Sequence, residues 1–154
     1  MTLCIEGSQS SDAEQFPDYY EQLFEVLPCA ALVLDQAASI VNFNRAGFAL
    51  MAKEPSEEVM QLLAGEALGC VHANEGDGCG TTPFCRECGL WRVVTETLRT
   101  RIGGRRIASM SLVRNDTVVE TRFLLTTAPI TLQPHFLTLM TLQDLGELSN
   151  LEDC

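Results

Sequence analysis

Four cysteines within nineteen residues constrain this chain more than any other feature of its sequence. Cys70, Cys79, Cys85 and Cys88 follow the spacing C-x8-C-x5-C-x2-C, and His72 lies two residues after the first of them. Glycine flanks three of the four, and glycine permits the tight backbone turns that fold a chain around a small object. Two thiols three residues apart can reach one ion. The segment therefore indicates a metal or cluster site.

Cysteines so close together form a disulfide framework in many secreted proteins. Here the first eight residues have neither a basic region nor the apolar run of a signal peptide. No stretch approaches the roughly 20 apolar residues of a membrane span. We therefore expect a cytoplasmic protein, in which clustered thiols bind metal or carry out redox chemistry. Inert thiols remain an alternative, and the scattered Cys4, Cys29 and Cys154 carry no functional hypothesis.

The charge of the chain limits its partners. A formal net charge of −11 argues against a nucleic-acid-binding protein, which needs a basic surface. Eight of the ten basic residues, all arginines, nevertheless lie between Arg86 and Arg122, where there are only four acids. These arginines are either the solvated faces of strands and a helix, or a docking surface for an acidic partner.

The hydrophobic spacing divides the 154 residues into one domain and its flanks. We expect residues 1–11 to be disordered and residues 12–27 to form an amphipathic helix. Its apolar stripe, made of Tyr20, Leu23, Phe24 and Leu27, would cover the protein's own sheet or pair two protomers. Residues 28–146 form the domain, with the cysteine loop at 69–89, and residues 147–154 form a short acidic tail.

Within the domain, the pattern predicts an α+β fold with a five-stranded antiparallel sheet. Ala30–Asp35 and Ile40–Asn44 form a hairpin, after which Asn44 caps a helix. A second helix opens after Pro55-Ser56, contains Val59–Leu63 and ends at Gly65. A third helix, with Leu90, Val94 and Leu98 on one stripe, follows the cysteine loop. The last three strands are Arg105–Val113, Thr117–Ala128 and Phe136–Asp144, and the final one is apolar on both faces, as a central strand is.

The stretch from about Leu27 to Asp144 resembles a PAS sensor domain. The similar segments are Val33-Leu34-Asp35, Ile40-Val41-Asn42-Phe43-Asn44-Arg45-Ala46 and Leu139-Met140-Thr141-Leu142-Gln143-Asp144. The segment from Gly65 to Gly89 looks like a cysteine-bearing PAS subgroup of bacterial signalling proteins. The resemblance implies one sheet wrapped around a small cavity, and a role in signal transduction without enzymatic activity.

Several cofactors are compatible with this pattern. Four thiolates suit an Fe–S cluster or zinc, and we favour Fe–S because the chain has only one C-x2-C pair, where structural zinc sites usually have two. His72 is a possible alternate ligand. Phe84, Leu90 and Trp91 would shield a cluster from water. The reactive-cysteine signature of flavin-photoadduct PAS domains is absent, and a haem bound by His72 or His135 is not favoured.

Three functions are therefore expected in order of preference. The first is a sensor of redox state or oxygen that signals by protein–protein interaction. It would act as a homodimer through the N-terminal helix, or through a separate signalling protein such as a kinase or regulator. The second is an assembly module in which zinc only pins the loop. The third is a thiol redox protein that uses Cys85 and Cys88. Neither nucleic acid nor a membrane is an expected partner.

Overall fold

The first and last strands of this protein pair with each other in the middle of its sheet. The computed structural model describes residues 16–52 and 59–149. The strands are β1 (Ala30–Leu34), β2 (Ile40–Phe43), β3 (Arg105–Arg114), β4 (Thr117–Leu132) and β5 (His135–Asp144). They form one antiparallel sheet in the order β2-β1-β5-β4-β3. The predicted α+β class, the five-stranded sheet and the central position of the last strand are confirmed.

The helices lie between the hairpin and the three long strands, with one at each end of the described chain. They are α1 (Phe16–Val26), α2 (Arg45–Leu50), α3 (Ala64–Leu68), α4 (Gly89–Thr100) and α5 (Leu145–Ser149). Two 3-10 turns, Val71–Ala73 and Pro83–Arg86, lie in the cysteine loop. Among the described residues, no helix has the length and apolar character needed to cross a membrane. The predicted disorder of residues 1–11 and the end of the predicted tail lie outside the described residues.

Alternation along the long strands builds the core. In the middle of β3, β4 and β5, alternate residues are buried on the face covered by α4. This period of two is the pattern expected of a sheet with one face covered. The largest fully buried side chains of this core include Leu32, Leu68, Leu90, Phe123, Met140 and Leu142. These side chains fill the space between the sheet and the helices.

Asn44 joins the hairpin to the first inner helix, as the sequence predicts. Its fully buried side chain accepts a hydrogen bond from the backbone N–H of Gly47, with 2.7 Å between Oδ1 and N, and so caps α2. The same oxygen accepts from the N–H of Ala31, and Nδ2 donates to the carbonyl of Cys29. One amide therefore satisfies three backbone groups, which fixes α2 against the start of β1.

The helix predicted between Pro55 and Gly65 is wrong in its described part. Val59–Leu63 is a turn that lies beside β2, where Ile40 donates a backbone hydrogen bond to Leu62. The helix that follows, α3, contains Gly65 in its middle, and Gly69 ends it with a φ of 83°. Glycine at the left-handed position after a helix is the usual stop signal. The glycine at 65 serves close packing instead.

Two other boundaries differ from the sequence prediction. Strand β4 runs to Leu132, beyond the predicted end at Ala128. Pro129 is tolerated because its nitrogen faces the side of β3, and β3 begins only at Arg105, opposite Thr126. At the other end of the chain, α5 occupies Leu145–Ser149, so the predicted acidic tail begins inside a short helix.

Candidate functional site

The four clustered cysteines lie at four different places between the end of α3 and the start of α4. Cys70 follows Gly69, the residue that ends α3, and forms an isolated bridge to Leu112 at the edge of β3. Cys79 lies in the loop, Cys85 in the second 3-10 turn, and Cys88 at the N-cap of α4. All four are free thiols; Cys79 and Cys85 are buried, whereas Cys70 and Cys88 are partly exposed. The loop therefore connects the sheet edge to the start of α4.

Gly65 provides the surface against which the first two cysteines pack. A Cβ atom at this position would lie 2.6 Å from Sγ of Cys79 and 3.7 Å from Cβ of Cys70. A larger residue here would force the side chain of Cys79 to move, because real Cβ atoms essentially never approach a neighbour so closely. The next residue, Glu66, accepts hydrogen bonds from the backbone N–H groups of Leu63 and Cys79. Helix α3 therefore positions the loop through Gly65 and Glu66.

Hydrogen-bond donors surround the sulfur of Cys85. The backbone N–H of Gly80 lies 3.2 Å from Sγ and the Thr82 hydroxyl 3.3 Å from it. Burial tends to raise the pKa of Cys85, but the Thr82 hydroxyl and the backbone N–H groups of Thr82, Gly80 and Thr81 outweigh it. The pKa of this thiol is therefore lowered. Such donors stabilise a thiolate, which is the form that binds metal or attacks a disulfide.

The other thiols are shifted in the opposite direction. The pKa of Cys79 is raised to about 12, chiefly by burial and also by negative charge on Cys88, Cys85 and Cys70, although a backbone hydrogen bond at Gly65 lowers it in part. Burial also raises the pKa of Cys70, with added repulsion from Cys88 and Cys85, although the backbone N–H groups of His72 and Ala73 lower it. Repulsion of this kind falls with distance, so the cysteines are close enough for charge on one to shift the pKa of another.

This proximity does not amount to an assembled ligand set. Within residues 16–52 and 59–149, no three His, Cys, Asp or Glu side chains are arranged so that they could hold one metal ion. Repulsion between thiolates acts over longer distances than a metal–sulfur bond of about 2.3 Å, so the two observations are compatible. The joint coordination by Cys70, Cys79, Cys85 and Cys88 therefore stays a prediction, as does any metal or cluster.

His72 is engaged away from the thiols. Its Nδ1 lies 2.8 Å from Oε2 of Glu75, and its ring stacks on Phe84 with 4.3 Å between ring centroids. These contacts occupy one ring nitrogen and one ring face. A role as a metal ligand would leave only Nε2, and this role also stays a prediction.

The apolar residues near the loop have three different positions. Leu90 is 2% exposed and belongs to the core, whereas Phe84 is 61% exposed. The Trp91 ring lies over Gly80, where a Cβ atom would be 2.5 Å from the ring. Trp91 is therefore the member of the predicted set that covers the loop backbone. The sequence analysis did not identify Gly65, Glu66 or Thr82 as part of the site. Only Gly65 had a signal in the sequence, since it is a glycine inside an otherwise helical run.

An open groove runs beside Cys70. Its volume is about 840 Å³, and it passes between α3, the first half of the cysteine loop and the β3–β4 turn. Its polar lining includes Glu66, Asn74, Asp77 and Asp116. Cys70 therefore borders a region that solvent and small molecules can enter.

Comparison with known proteins identifies the fold. No protein-family model matches this sequence, and no curated protein does. Among solved structures, the PAS domain of a two-component sensor histidine kinase superimposes with a TM-score of 0.58 at 9% identity, covering 86% of this chain and 98% of that one. The PAS domain of an HTR-like protein from Haloarcula marismortui gives 0.56 at 19% identity, with 86% and 94% covered.

This protein has the PAS fold. A third structure, the PAS domain of nitrogen regulation protein NR(II) from Vibrio parahaemolyticus, agrees with a TM-score of 0.55 at 13% identity, covering 81% and 96% of the two chains. At such low identities, shared sheet order and helix placement carry the likeness. The PAS resemblance predicted from the sequence is therefore confirmed at the level of the fold, and the cysteine-rich subgroup is not.

Proposed function

We propose that this PAS-fold protein is a sensory module whose cysteine loop responds to redox state or oxygen. Its centre would be held by Cys70, Cys79, Cys85 and Cys88. The observation that supports the proposal best is geometric: four free thiols lie in one short loop, with Cys79 packed against Gly65 and hydrogen-bond donors directed at the sulfur of Cys85. A bound cation would stabilise the thiolate forms of these cysteines.

The residues present fit a thiolate-bound centre in their chemistry. Backbone N–H groups act on the sulfurs of Cys70 and Cys85, and a hydroxyl adds to those on Cys85. An Fe–S cluster would supply a redox couple at this point, whereas zinc would supply a fixed cross-link. Hydrogen bonds to the sulfurs are one of the properties by which a protein sets the potential of a cluster.

The position of the loop supports a signalling role. Gly69 accepts a backbone hydrogen bond from Val113 of β3, and Cys88 accepts one from Arg92 inside α4. A change in the spacing of the thiols would therefore act on the sheet edge and on the helix that covers the core. We propose that this is how the state of the centre reaches a partner protein.

A homodimer formed through α1 is part of this proposal. Of the predicted apolar stripe, Tyr20, Leu23 and Leu27 are 64%, 43% and 38% exposed, and Phe24 is half-buried. The alternative that the apolar stripe is buried on the protein's own sheet is not supported by these values. An exposed apolar helix face is typical of a surface that meets another protein.

Anaerobic purification of the full chain tests the proposal. We expect iron and acid-labile sulfide, with visible absorption that bleaches on reduction. Serine at any one of the four positions should abolish the signal, whereas Cys29→Ser, outside the loop, should keep it. Zinc alone would favour the assembly module. A metal-free protein with a reversible Cys85–Cys88 disulfide would favour the thiol redox protein, for which the hydrogen bonds to Cys85 are the specific support.

A further inference from the structure

The structure leaves one edge of the sheet largely open. Strand β3 is the last strand in the order β2-β1-β5-β4-β3, and it pairs with β4 over ten residues without a break in register. Its other edge is met at one place, where Cys70 opposes Leu112 and Val113 donates to the carbonyl of Gly69 at 2.9 Å. The segment from Arg105 to Ser111 has no such cover among the described residues.

The direction of the backbone groups along this edge follows from Val113. Its N–H points away from β4, because it reaches Gly69. Backbone direction alternates along a strand, so the N–H and C=O groups of Ile107 and Ser109 point to the same open side. No backbone hydrogen bond joins these groups to the described part of the chain. Unpaired groups of this kind are a template for another strand.

The surroundings of the edge are basic. Arg105 and Arg106 begin β3, and Arg122 lies opposite Ser109 on β4. None of the three arginines forms an ion pair with a described acidic residue. The side chain of Ile107, next to them, is 54% exposed. The open edge thus combines backbone donors and acceptors, an apolar side chain and three arginines that form no ion pair with a described acid, while Glu120 accepts a hydrogen bond from Ser111 at the far end.

We propose that the edge of β3 between Arg105 and Ser111 binds an extended acidic segment of a partner protein as a sixth strand. Strand addition uses main-chain hydrogen bonds for affinity and side chains for specificity. Acidic side chains on alternate residues of the partner would meet Arg105 and Arg122, while the backbone pairs with Ile107 and Ser109. The proposal holds whether or not the thiols bind a metal.

Titration with a designed peptide tests this surface on the full chain. The probe is acetyl-Thr-Glu-Val-Glu-Val-Glu-Thr-amide, and the control peptide has lysine in place of glutamate. We expect the acidic peptide to shift the amide signals of Ile107 and Ser109 in 1H–15N NMR spectra and to slow their hydrogen exchange at least tenfold. The lysine peptide should bind at least tenfold more weakly.

Variants separate the backbone from the charge contribution. Ser109→Pro removes one outward N–H, and proline is tolerated on edge strands, so binding should be lost while the spectrum stays folded. If that variant does not fold, the double variant Arg105→Glu with Arg122→Glu provides the test, and it should lower affinity at least tenfold. Arg45→Glu, which changes an exposed arginine on α2, is the matched control and should bind as the wild type does.

Three results would overturn the proposal. Equal binding of the acidic and the lysine peptide would show that charge does not contribute to binding. If the peptide changes only the signals of other elements, or does not bind at millimolar concentration, the edge of β3 is not a binding site. Protection of Ile107 and Ser109 that grows with protein concentration in the absence of peptide would assign the edge to a second copy of this chain.

Discussion

Cys79 and Cys85 lie six residues apart, yet their surroundings shift the pKa of the two thiols in opposite directions. Cys79 packs against Gly65 and is buried without a compensating charge, so its thiol stays protonated far above neutral pH. Cys85 is also buried, but a hydroxyl and several N–H groups point at its sulfur. Burial and the donors around each sulfur therefore act against each other, and the balance differs between the two thiols.

Removal of one donor should raise the pKa of Cys85. In the metal-free protein, Thr82→Val deletes a hydrogen bond to the thiolate, and a charged hydrogen bond contributes about 1.5 kcal/mol, or about one pKa unit. The thiolate of Cys85 should thus form about one pH unit higher than in the wild type, as followed by the 13Cβ chemical shift of Cys85. Thr81→Val is the control, because the Thr81 hydroxyl donates to the Gly78 carbonyl and not to sulfur. An unchanged midpoint in Thr82→Val would contradict the prediction.

At the scale of elements, Arg114 ties two helices to the sheet. It lies at the end of β3, and its guanidinium donates to the carbonyls of Leu50 and Leu68 at 2.7 Å each. These are the last residues of α2 and α3, where carbonyls lack partners within the helix and a cation is favoured. Burial lowers the pKa of Arg114, but an arginine remains charged in a protein. One side chain therefore holds three elements together beside the cysteine loop.

Loss of this guanidinium should destabilise the fold. Arg114→Ala removes the two charge-assisted hydrogen bonds to the helix ends and a third to the carbonyl of Val113, so we expect the free energy of unfolding to fall by about 2–3 kcal/mol. Urea unfolding followed by circular dichroism measures it. Arg45→Ala is the matched control: its 3.6 Å ion pair with Glu25 is exposed, and its loss should cost less than about 0.5 kcal/mol. Equal losses in the two variants would show that the helix ends do not depend on Arg114.

The cysteine loop should respond to metal as a unit. If a metal holds the loop, its removal takes away part of the folding free energy of that segment. We expect chelation to increase hydrogen exchange in residues 66–92, whereas exchange in β4 and β5, which lie inside the sheet, stays unchanged. Mass-spectrometric hydrogen exchange before and after chelation measures this, with Cys79→Ser as a variant that cannot respond. A change spread over the whole chain, or no change, would count against the loop as a separate unit.

At the scale of the molecule, two surfaces remain open. The apolar face of α1 is exposed, and the edge of β3 carries free backbone groups and arginines. They differ in chemistry, since one is apolar and the other is polar and positively charged. Under the proposals above, the apolar face of α1 would bind a second copy of this chain and the edge of β3 would bind an acidic partner.

A single charge on α1 should shift the oligomeric state. We expect the wild type to sediment as a dimer at tens of micromolar, and Leu23→Glu to sediment as a monomer, because the charge would be buried in the interface. Gln22→Glu introduces the same charge at an exposed neighbouring position of the same helix and should remain dimeric. A chain that begins near Leu27 should also be monomeric. A wild type that is monomeric at these concentrations would rule out the dimer.

The sequence by itself determined the class of fold, the sheet composition, the N-cap at Asn44 and the central position of β5, because these depend on local periodicity and local hydrogen bonding. Only the tertiary structure decided what depends on contacts between distant residues. Position 65 favours glycine because Sγ of Cys79, fourteen positions away, occupies the space of a Cβ atom. Arg114 donates hydrogen bonds to carbonyls 46 and 64 positions away. The same applies to the thiols: spacing predicts that they meet, but burial and the donors around each sulfur, which come from the packed loop, set their charges.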